Sequence, residues 1–424
     1  MKLENAKGTR DFMPEDQILI EYILDKIKEI FKMYGYQPLQ TPAIERFDVL
    51  AAKYAGGSEL LKETFTLEDQ GKRKLALRNE FTVPLARIIA SKRDIKFPFK
   101  RYQIGPIWRD GPIGKNRYRE FLQCDVDVIG CKDMKAEAEI MLMTDQIFKI
   151  LDLDYEIRLN NRKILNGIID YFNIKEKEKT MISLDKIDKI GKLGVNEELK
   201  EIKNADILLE FIDNLNKKKN EEILKELEQL TIEGVEELKT ILKLTKKVNI
   251  KICPYLTRGL GYYTGPIFEV VLLKSEVKVS VAGGGRWDNM IKEYIGENRE
   301  YSAVGISFGV SRIFDELKKR QETKTSTTVF IIPINQENTF EYALKIAQKL
   351  RENKINTDID LIGKGISKNL NFVNSMDIPF VLFIGEEEIK TKKIKLKNMK
   401  TGIEEATTIE KIIEILRGNL CSSQ

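Results

Sequence analysis

Histidine is absent from this chain of 424 residues. It is the commonest general base of enzymes and the commonest metal ligand, so its absence excludes both roles. Chemistry at any active site must therefore use carboxylates, arginines, tyrosines or groups that a substrate supplies. A zinc site built from cysteine and histidine is excluded for the same reason.

Cysteine is also scarce, and its four positions are Cys124, Cys131, Cys253 and Cys421. None of them forms a Cys-x-x-Cys pair, so we expect free thiols in a reducing compartment, the cytoplasm. The N-terminal residues Met1 to Asn5 are polar and lack the apolar region of a signal peptide. No apolar run approaches the length of a membrane span.

A large excess of one charge is missing too. Lys and Arg number 71 and Asp and Glu 66, which leaves a net charge of +5. A mildly basic chain is compatible with a nucleic-acid ligand but does not require one. The length suggests two or three domains, and a hydrophobic content of 42% is enough to give each a core.

The first part of the chain predicts helices followed by a long hairpin. Apolar residues recur at helical spacing over residues 20–34, and Val83 to Ser91 also predicts a helix. Phe99 to Trp108 and Phe121 to Gly130 predict two paired strands with a long loop between them. A loop of this length in a compact domain is usually functional.

The pattern then changes twice. Residues from about 173 to 248 are rich in Lys, Glu, Ile and Leu and almost free of aromatic residues, which predicts a helical insertion. Strands are predicted within Ile250 to Leu273 and at Val277 to Val281. Ala303 to Phe314 predicts a strand followed by a helix.

The last hundred residues predict a separate small domain. Lys318 to Thr328 is polar and aperiodic, as in a linker, and beyond it strands and helices alternate. Such alternation predicts an α/β domain with a mixed or parallel sheet. We therefore predict domains at residues 1–325 and 326–424. The predicted strands are Val329–Ile334, Thr357–Leu361 and Pro379–Ile384, and the helices are Phe340–Arg351 and Ser367–Met376.

The hairpin loop concentrates positive charge. Its cations are Arg109, Lys115, Arg117 and Arg119. Arginine forks match pairs of phosphate oxygens, so the loop suits a nucleoside triphosphate. By itself the stretch leaves a solvated basic hairpin open as the alternative.

Polar side chains are also predicted on strand faces. Glu80 and Thr82 would alternate on one face, where a carboxylate can hold an ammonium group, although an ordinary exposed edge is the alternative. Gln123 and Asp127 are four residues apart on the second hairpin strand, so they share a face.

Three later stretches carry further candidates. They are Arg258 with Tyr262 and Tyr263, the glycines 283–285, and Gly305-x-x-x-Gly309-x-x-Arg312. Consecutive glycines let a backbone approach a ligand closely. The last pattern is weak alone, because small residues also mark close helix packing.

In this order the stretches resemble the histidyl-tRNA synthetases, a family of class II aminoacyl-tRNA synthetases. The resemblance is nearly continuous and weakest in the predicted insertion. The Arg119–Asp125 segment is closer to the archaeal and eukaryotic style. The matching elements are the hairpin loop (motif 2), Leu77–Thr82 (the LR-x-E-x-T element), the Gly305–Arg312 pattern (motif 3), Pro42 with Glu45 (motif 1) and the opening Gly8-Thr9-Arg10-Asp11-Phe12-x-Pro14.

The resemblance implies an α+β fold: an antiparallel-sheet class II catalytic domain with a helical insertion, followed by an α/β anticodon-binding domain. It implies a homodimer that activates L-histidine with ATP and Mg²⁺ and transfers it to tRNA(His). No metal site made by the protein alone is implied.

The resemblance also assigns roles to residues. It places Arg109 on the α-phosphate with Arg258 opposite, and it assigns the remaining ATP contacts to Arg117 (β- and γ-phosphates), Phe121 (adenine) and Arg312 (γ-phosphate). For histidine it implies Glu80 and Thr82 at the ammonium group, Gln123 at the amino-acid backbone, and Asp127, Tyr263 and Tyr262 at the imidazole. For Tyr262 the residues themselves favour the alternative, an ordinary strand tyrosine.

Two positions depart from the family pattern. The aspartate of the family's RGLDYY is Gly261, and the tyrosine of its GGRYD is Trp287. A divergent paralogue that activates another amino acid therefore stays open. So does a non-catalytic, histidine-binding regulatory subunit of ATP phosphoribosyltransferase, although that class typically lacks the second domain and the phosphate arginines. The missing histidines fit either drift or synthesis under histidine scarcity.

Overall fold

The computed structural model describes residues 2–52, 59–114, 117–230, 232–258, 262–275, 279–295, 301–320 and 324–421. The chain divides into two compact units. One comprises Met1–Asp11 and Tyr22–Leu317, and the other comprises Phe12–Glu21 and Lys318–Gln424.

Eleven strands precede Leu317 in the described part of the chain. They are β1 Gln37–Pro38, β2 Ile44–Arg46, β3 Thr66–Glu68, β4 Lys74–Leu77, β5 Phe99–Trp108, β6 Glu120–Ile129, β7 Tyr155–Asn161, β8 Ile250–Ile252, β9 Pro266–Leu272, β10 Ala282–Arg286 and β11 Ala303–Gly309. The helices up to Leu317 are α1 Pro14–Met33, α2 Phe47–Ala52, α3 Glu59–Lys62, α4 Thr82–Ser91, α5 Lys135–Ile150, α6 Arg162–Tyr171, α7 Lys177–Leu184, α8 Ile187–Leu199, α9 Ala205–Asn216, α10 Asn220–Gln229, α11 Val235–Leu244, α12 Met290–Ile295 and α13 Val310–Leu317.

Eight of these strands form one sheet in the order β1-β5-β6-β11-β10-β9-β7-β8. The six central strands pair antiparallel, and the outermost pairs, β1 with β5 and β7 with β8, are parallel. The predicted hairpin is confirmed as β5 and β6, whose register runs from Phe99 opposite Ile129 to Trp108 opposite Glu120. The antiparallel-sheet fold class is likewise confirmed.

Helices cover the sheet through apolar faces. Leu85 and Ile89 of α4 pack with Trp287, Met290 and Ile291 near and on α12. The region predicted to be a helical insertion contains α7 to α11 in its described residues, with buried leucines and isoleucines on their inner faces. A smaller sheet, β2-β4-β3, places the buried carboxylate of Glu45 against Arg87, with nitrogen–oxygen distances of 2.7 and 3.0 Å.

The strand predicted at Val277–Val281 is wrong. Residues 279–281 are not extended strand, residues 276–278 lie outside the described part, and the strand begins at Ala282. The glycines 283–285 are inside that strand. They are needed there because β10 and β11 approach closely: a Cβ at Gly284 would lie 1.9 Å from the carbonyl oxygen of Gly305.

The second unit has its own sheet and core. Its strands are β12 Val329–Pro333, β13 Thr357–Ile359, β14 Phe380–Ile384, β15 Ile394–Asn398 and β16 Glu404–Thr407, and its helices after Leu317 are α14 Gln336–Glu352, α15 Ile366–Ser375, α16 Glu386–Thr391 and α17 Ile409–Cys421. The strand order is β13-β12-β14-β15-β16, parallel over the first three strands and antiparallel beyond β14. The predicted alternation is confirmed up to Ile384.

Within the described ranges, no helix is both long and apolar enough to cross a bilayer. Three cysteines, Cys124, Cys131 and Cys253, are free thiols. The side chain of Cys421 lies outside the described residues.

Candidate active site

A cleft of about 450 Å³ opens in the first unit beside the central strands β6, β10 and β11. Eleven residues predicted for the site line it together. They are Glu80, Thr82, Arg109, Arg117, Phe121, Gln123, Asp127, Arg258, Tyr262, Tyr263 and Arg312.

The alternation of side chains along β6 places three of its polar residues in the lining of the cleft. Gln123, Asp125 and Asp127 all line it, as the period of two requires. Gly305 stands opposite Asp127 in the sheet, and a Cβ there would lie 2.0 Å from Asp127 Oδ1. Glycine on β11 therefore leaves space for the carboxylate on β6.

Glu80 and Thr82 reach the cleft in a different way from the one expected. They do not alternate on a strand, because β4 ends at Leu77 and Thr82 is already the first residue of α4. Pro84, which a helix tolerates in its first turn, makes a helix start here favourable. Both side chains still line the cleft, so the error concerns the element and not the location.

Positive charge gathers at one end. Arg109 Nε donates to the carbonyl oxygen of Asn79 at 3.0 Å, and its guanidinium lies 5.3 Å from the centre of the Phe121 ring. Arg117 Nη2 lies 2.8 Å from Glu63 Oε1, and Arg312 Nη1 donates to the carbonyl oxygen of Ser280 at 2.6 Å.

The pKa of Arg312 is affected by the other cations of the cleft. Burial lowers its pKa, and the charges of Arg109, Arg258 and Arg117 lower it further, while Glu269 opposes them. Four guanidinium groups thus share one electrostatic environment. A polyanion entering the cleft would relieve their repulsion.

Arg258 is held by an acid and by unusual backbone geometry. Its Nη1 donates to Glu269 Oε1 at 3.0 Å. Its φ is 47°, which is uncommon for a residue with a Cβ and is concentrated at functional sites. Burial alone would lower the pKa of Arg258, but Tyr263 and Glu269 raise it overall, so it stays charged.

Acidic groups gather at the other end. Burial raises the pKa of Asp127 to about 7, although Arg101 acts to lower it, and the charges of Asp125 and Glu80 raise it. Arg101 Nη2 approaches Asp127 Oδ2 to 2.5 Å as an ion pair, at angles that do not make a hydrogen bond. Trp287 also acts to lower the pKa of the same carboxylate.

Two tyrosines complete this end. Their hydroxyl oxygens are 3.2 Å apart, with Tyr262 donating to Tyr263, and their ring centres are 4.4 Å apart. Burial raises the pKa of Tyr262. Both residues precede β9, so the alternative of ordinary strand tyrosines does not hold. Gly261, beside them, lies outside the described residues.

Three residues of this region were not singled out from sequence. Asp125 could have been found from the alternation Gln123-x-Asp125-x-Asp127. The register of the predicted hairpin would also have paired Arg101 with Asp127. Glu63 carried no local signal, because it reaches the loop from a distant segment.

The chain is similar to known proteins over nearly its whole length. A family model described as histidyl-tRNA synthetase matches residues 8–313, and one described as an anticodon binding domain matches residues 328–419. Histidine–tRNA ligase 1 of Bacillus cereus is 38% identical over 434 residues, covering 100% of this chain and 99% of that protein. The histidyl-tRNA synthetase structure from Nostoc sp. PCC 7120 has a TM-score of 0.86 at 28% identity, covering 99% of this chain and 100% of that one.

A more distant structure shares the fold alone. It is described as an ATP phosphoribosyltransferase regulatory subunit/histidyl-tRNA synthetase from Bacillus halodurans, with a TM-score of 0.74 at 21% identity, covering 90% of this chain and 98% of that one. The archaeal and eukaryotic style expected for Arg119–Asp125 stays a prediction.

Proposed function

The chain belongs to the histidyl-tRNA synthetase family and ligates histidine to tRNA, and we propose that the cleft carries out both steps of that reaction. One observation supports this most directly. A single cavity is lined by four arginines, by the three carboxylates of Glu80, Asp125 and Asp127, and by a pair of tyrosines. The arginines suit a triphosphate, and the carboxylates and tyrosines suit an amino acid with an imidazole side chain.

In the first step, a carboxylate oxygen of histidine attacks the α-phosphorus of ATP. The bond from that phosphorus to the bridging oxygen breaks, and pyrophosphate leaves. Negative charge builds on the α-phosphate in the transition state, where we assign Arg109 and Arg258 to stabilise it. Arg117 and Arg312 would hold the outer phosphates, and Phe121 would stack on adenine.

Recognition of histidine falls to the acidic end. We assign Glu80 and Thr82 to the ammonium group and Gln123 to the amino-acid backbone. Asp127 and Tyr263 would satisfy the two imidazole nitrogens, and Tyr262 donates to the Tyr263 hydroxyl. A site built to pair both nitrogens rejects analogues that leave a buried polar group unpaired.

Magnesium fits this site as a partner of the phosphates. The described residues contain no cluster of three or more acids or thiols that could hold a metal. Mg²⁺ usually keeps several waters and binds through one or two carboxylates plus substrate phosphates. Glu269, beside Arg258, is the carboxylate we assign to it. When bound, the ion would neutralise phosphate charge.

In the second step, the terminal ribose hydroxyl of tRNA attacks the carbonyl carbon of the adenylate, and AMP leaves. The chain has no histidine to take the hydroxyl proton. We therefore assign that proton to a phosphate oxygen of the adenylate itself.

The wider assembly is also a proposal. We assign residues 326–424 to anticodon binding and the helices within residues 173–248 to the acceptor arm, through salt-sensitive basic contacts. Pro42 and Glu45 would support a homodimer interface, and the cytoplasm is the proposed location.

Histidine-dependent exchange of pyrophosphate into ATP, followed by charging of tRNA(His), tests the proposal. Exchange driven better by another amino acid would support the divergent paralogue. Histidine binding without exchange would support a regulatory subunit instead.

Truncation tests the domain assignment. A protein ending at Thr325 should form the adenylate but charge tRNA poorly. Unchanged kcat/KM for tRNA in a folded truncation would contradict an anticodon-binding role for residues 326–424.

A further inference from the structure

The N-terminal arm, residues 6–11, lies against the arginine-rich hairpin loop. The backbone N–H of Arg119 donates to the carbonyl oxygen of Gly8 at 2.8 Å. Gly8 has a φ of 87°, and a Cβ there would lie 2.9 Å from Arg119 Cγ and 3.0 Å from Ile113 Cδ1. Glycine therefore lets the arm sit directly on the loop.

Arg10 makes the arm's strongest contacts. Its Nη1 donates to the Tyr118 hydroxyl at 3.0 Å and to Asp315 Oδ1 at 3.2 Å. Its guanidinium carbon lies 4.1 Å from the centre of the Tyr118 ring and 5.5 Å from that of Phe314. One side chain thus contacts both the loop and helix α13.

The hairpin loop and helix α13 each carry an arginine that we assign to the phosphates of ATP. Tyr118 directly follows Arg117 in the loop, and Asp315 lies about one helical turn beyond Arg312 in α13. Arg10 therefore joins the two segments that must hold the outer phosphates of ATP at a fixed separation.

We infer that Arg10 is a positioning residue for ATP: it ties the hairpin loop to α13 so that Arg117 and Arg312 are correctly spaced before ATP binds. Like charges repel one another, so Arg117 would relax away from Arg312 without such a tie. Holding the loop in advance lowers the ordering cost of binding. This inference rests on the proposed function of the cleft.

Arginine suits this place better than lysine does. A planar guanidinium can stack on an aromatic ring while its edge donates to two acceptors in different directions. The ammonium group of lysine cannot stack in that way. We therefore expect Arg10→Lys to recover the ion pair with Asp315 but not the contact with Tyr118.

Pyrophosphate exchange with wild type, three single variants and one double variant tests the inference. Arg10→Ala should raise the KM for ATP about tenfold, equivalent to roughly 1.4 kcal/mol of binding, with the KM for histidine within about twofold. Tyr118→Phe and Asp315→Asn should each raise the KM for ATP by a smaller factor. Asp315→Asn combined with Arg10→Ala should add little further loss, because both remove one contact.

Arg73→Ala is the matched control. Arg73 pairs with Asp69 in an exposed turn at 2.7 Å, so its removal should leave both KM values unchanged. Thermal unfolding of each variant shows whether a raised KM comes from a destabilised fold or from incorrectly placed phosphate-binding arginines. If Arg10→Ala does not fold, Tyr118→Phe and Asp315→Asn replace it in the test. A raised KM for ATP with an unchanged KM for histidine in these two variants supports the inference, and unchanged values for both substrates contradict it.

Two failures are distinguishable. Wild type without histidine-dependent exchange would overturn the proposed function. An active wild type whose folded Arg10→Ala variant keeps its KM for ATP, or raises the KM for histidine equally, would overturn the positioning role alone.

Discussion

The guanidinium of Arg258 lies directly against the backbone of Gly283: a Cβ at Gly283 would stand 1.6 Å from Arg258 Nη1. No pair of non-bonded atoms tolerates that distance, so the arginine can occupy this place only because residue 283 has no side chain. Glycine in the middle of a strand usually weakens that strand. Here Gly283 leaves the space that Arg258 occupies, and Arg258 is the cation that we assign to the transition state.

Gly283→Ala should therefore displace Arg258. We expect adenylate formation to slow by about 10²-fold with only a small change in Tm, because the clash is with the end of a flexible side chain. Single-turnover kinetics measure the loss. Adding Gly283→Ala to Arg258→Ala should cause no further loss, since both act through one group.

Gly365→Ala in the second unit serves as the comparison, because a Cβ there would meet nothing within 4 Å. It should leave adenylate formation unchanged. A Gly283→Ala enzyme as fast as wild type would show that Arg258 reaches the α-phosphate from another position.

Arg258→Ala should abolish most activation while the fold persists. One preorganised charge at the transition state is worth about 3–4 kcal/mol, or roughly 10²–10³ in rate. Histidine binding, measured by equilibrium dialysis, should change little because Glu80, Gln123 and Asp127 stay in place. A loss below about tenfold in single-turnover adenylate formation would remove Arg258 from the role assigned here.

The raised pKa of Asp127, about 7, predicts a pH dependence. Because the folded state holds this proton more tightly than the unfolded state, the group's contribution to stability falls as pH rises from about 4 to 7. Activity should move in the opposite direction. The ionised carboxylate accepts a stronger hydrogen bond from the imidazole than the protonated acid does, so kcat/KM for histidine should rise through pH 7.

The imidazole of free histidine titrates near pH 6.5 as well. Wild type should therefore show a limiting slope of about 2 in log kcat/KM below pH 6, and Asp127→Asn a slope of about 1 with a lower plateau. Equal slopes in the two enzymes would mean that Asp127 does not titrate in the productive complex.

Trp287→Phe should raise the pKa of Asp127, because the indole partner that lowers it is removed while the ring remains as a wall. The acid limb of kcat/KM should move to higher pH, which raises the KM for histidine at neutral pH. Trp287→Tyr, which restores the family's phenol, should recover part of the loss. If Trp287 only supports the fold, Trp287→Phe should lower Tm without shifting the acid limb of the kcat/KM profile.

Much of the fold and many of the site residues could be predicted from the sequence. The spacing of apolar residues determined the β5–β6 hairpin, the β11–α13 unit and the first part of the second unit, because those elements have strong local periodicity. The sequence motifs and the family resemblance together named eleven of the residues that line the cleft. The elements α16, β15, β16 and α17 were missed; α16 and β16 are short and largely exposed, so they carry little periodic signal.

Only the tertiary structure decided how those residues act on one another. Glu80 and Thr82 reach the cleft from a turn and a helix start instead of a strand, because the backbone turns after Leu77. The pKa of Asp127 depends on burial and on Arg101 across the hairpin, and the place of Arg10 depends on residues more than a hundred positions away. Local sequence specifies which groups a segment carries, but burial, charge coupling and the separation of Arg117 from Arg312 arise only when distant segments pack.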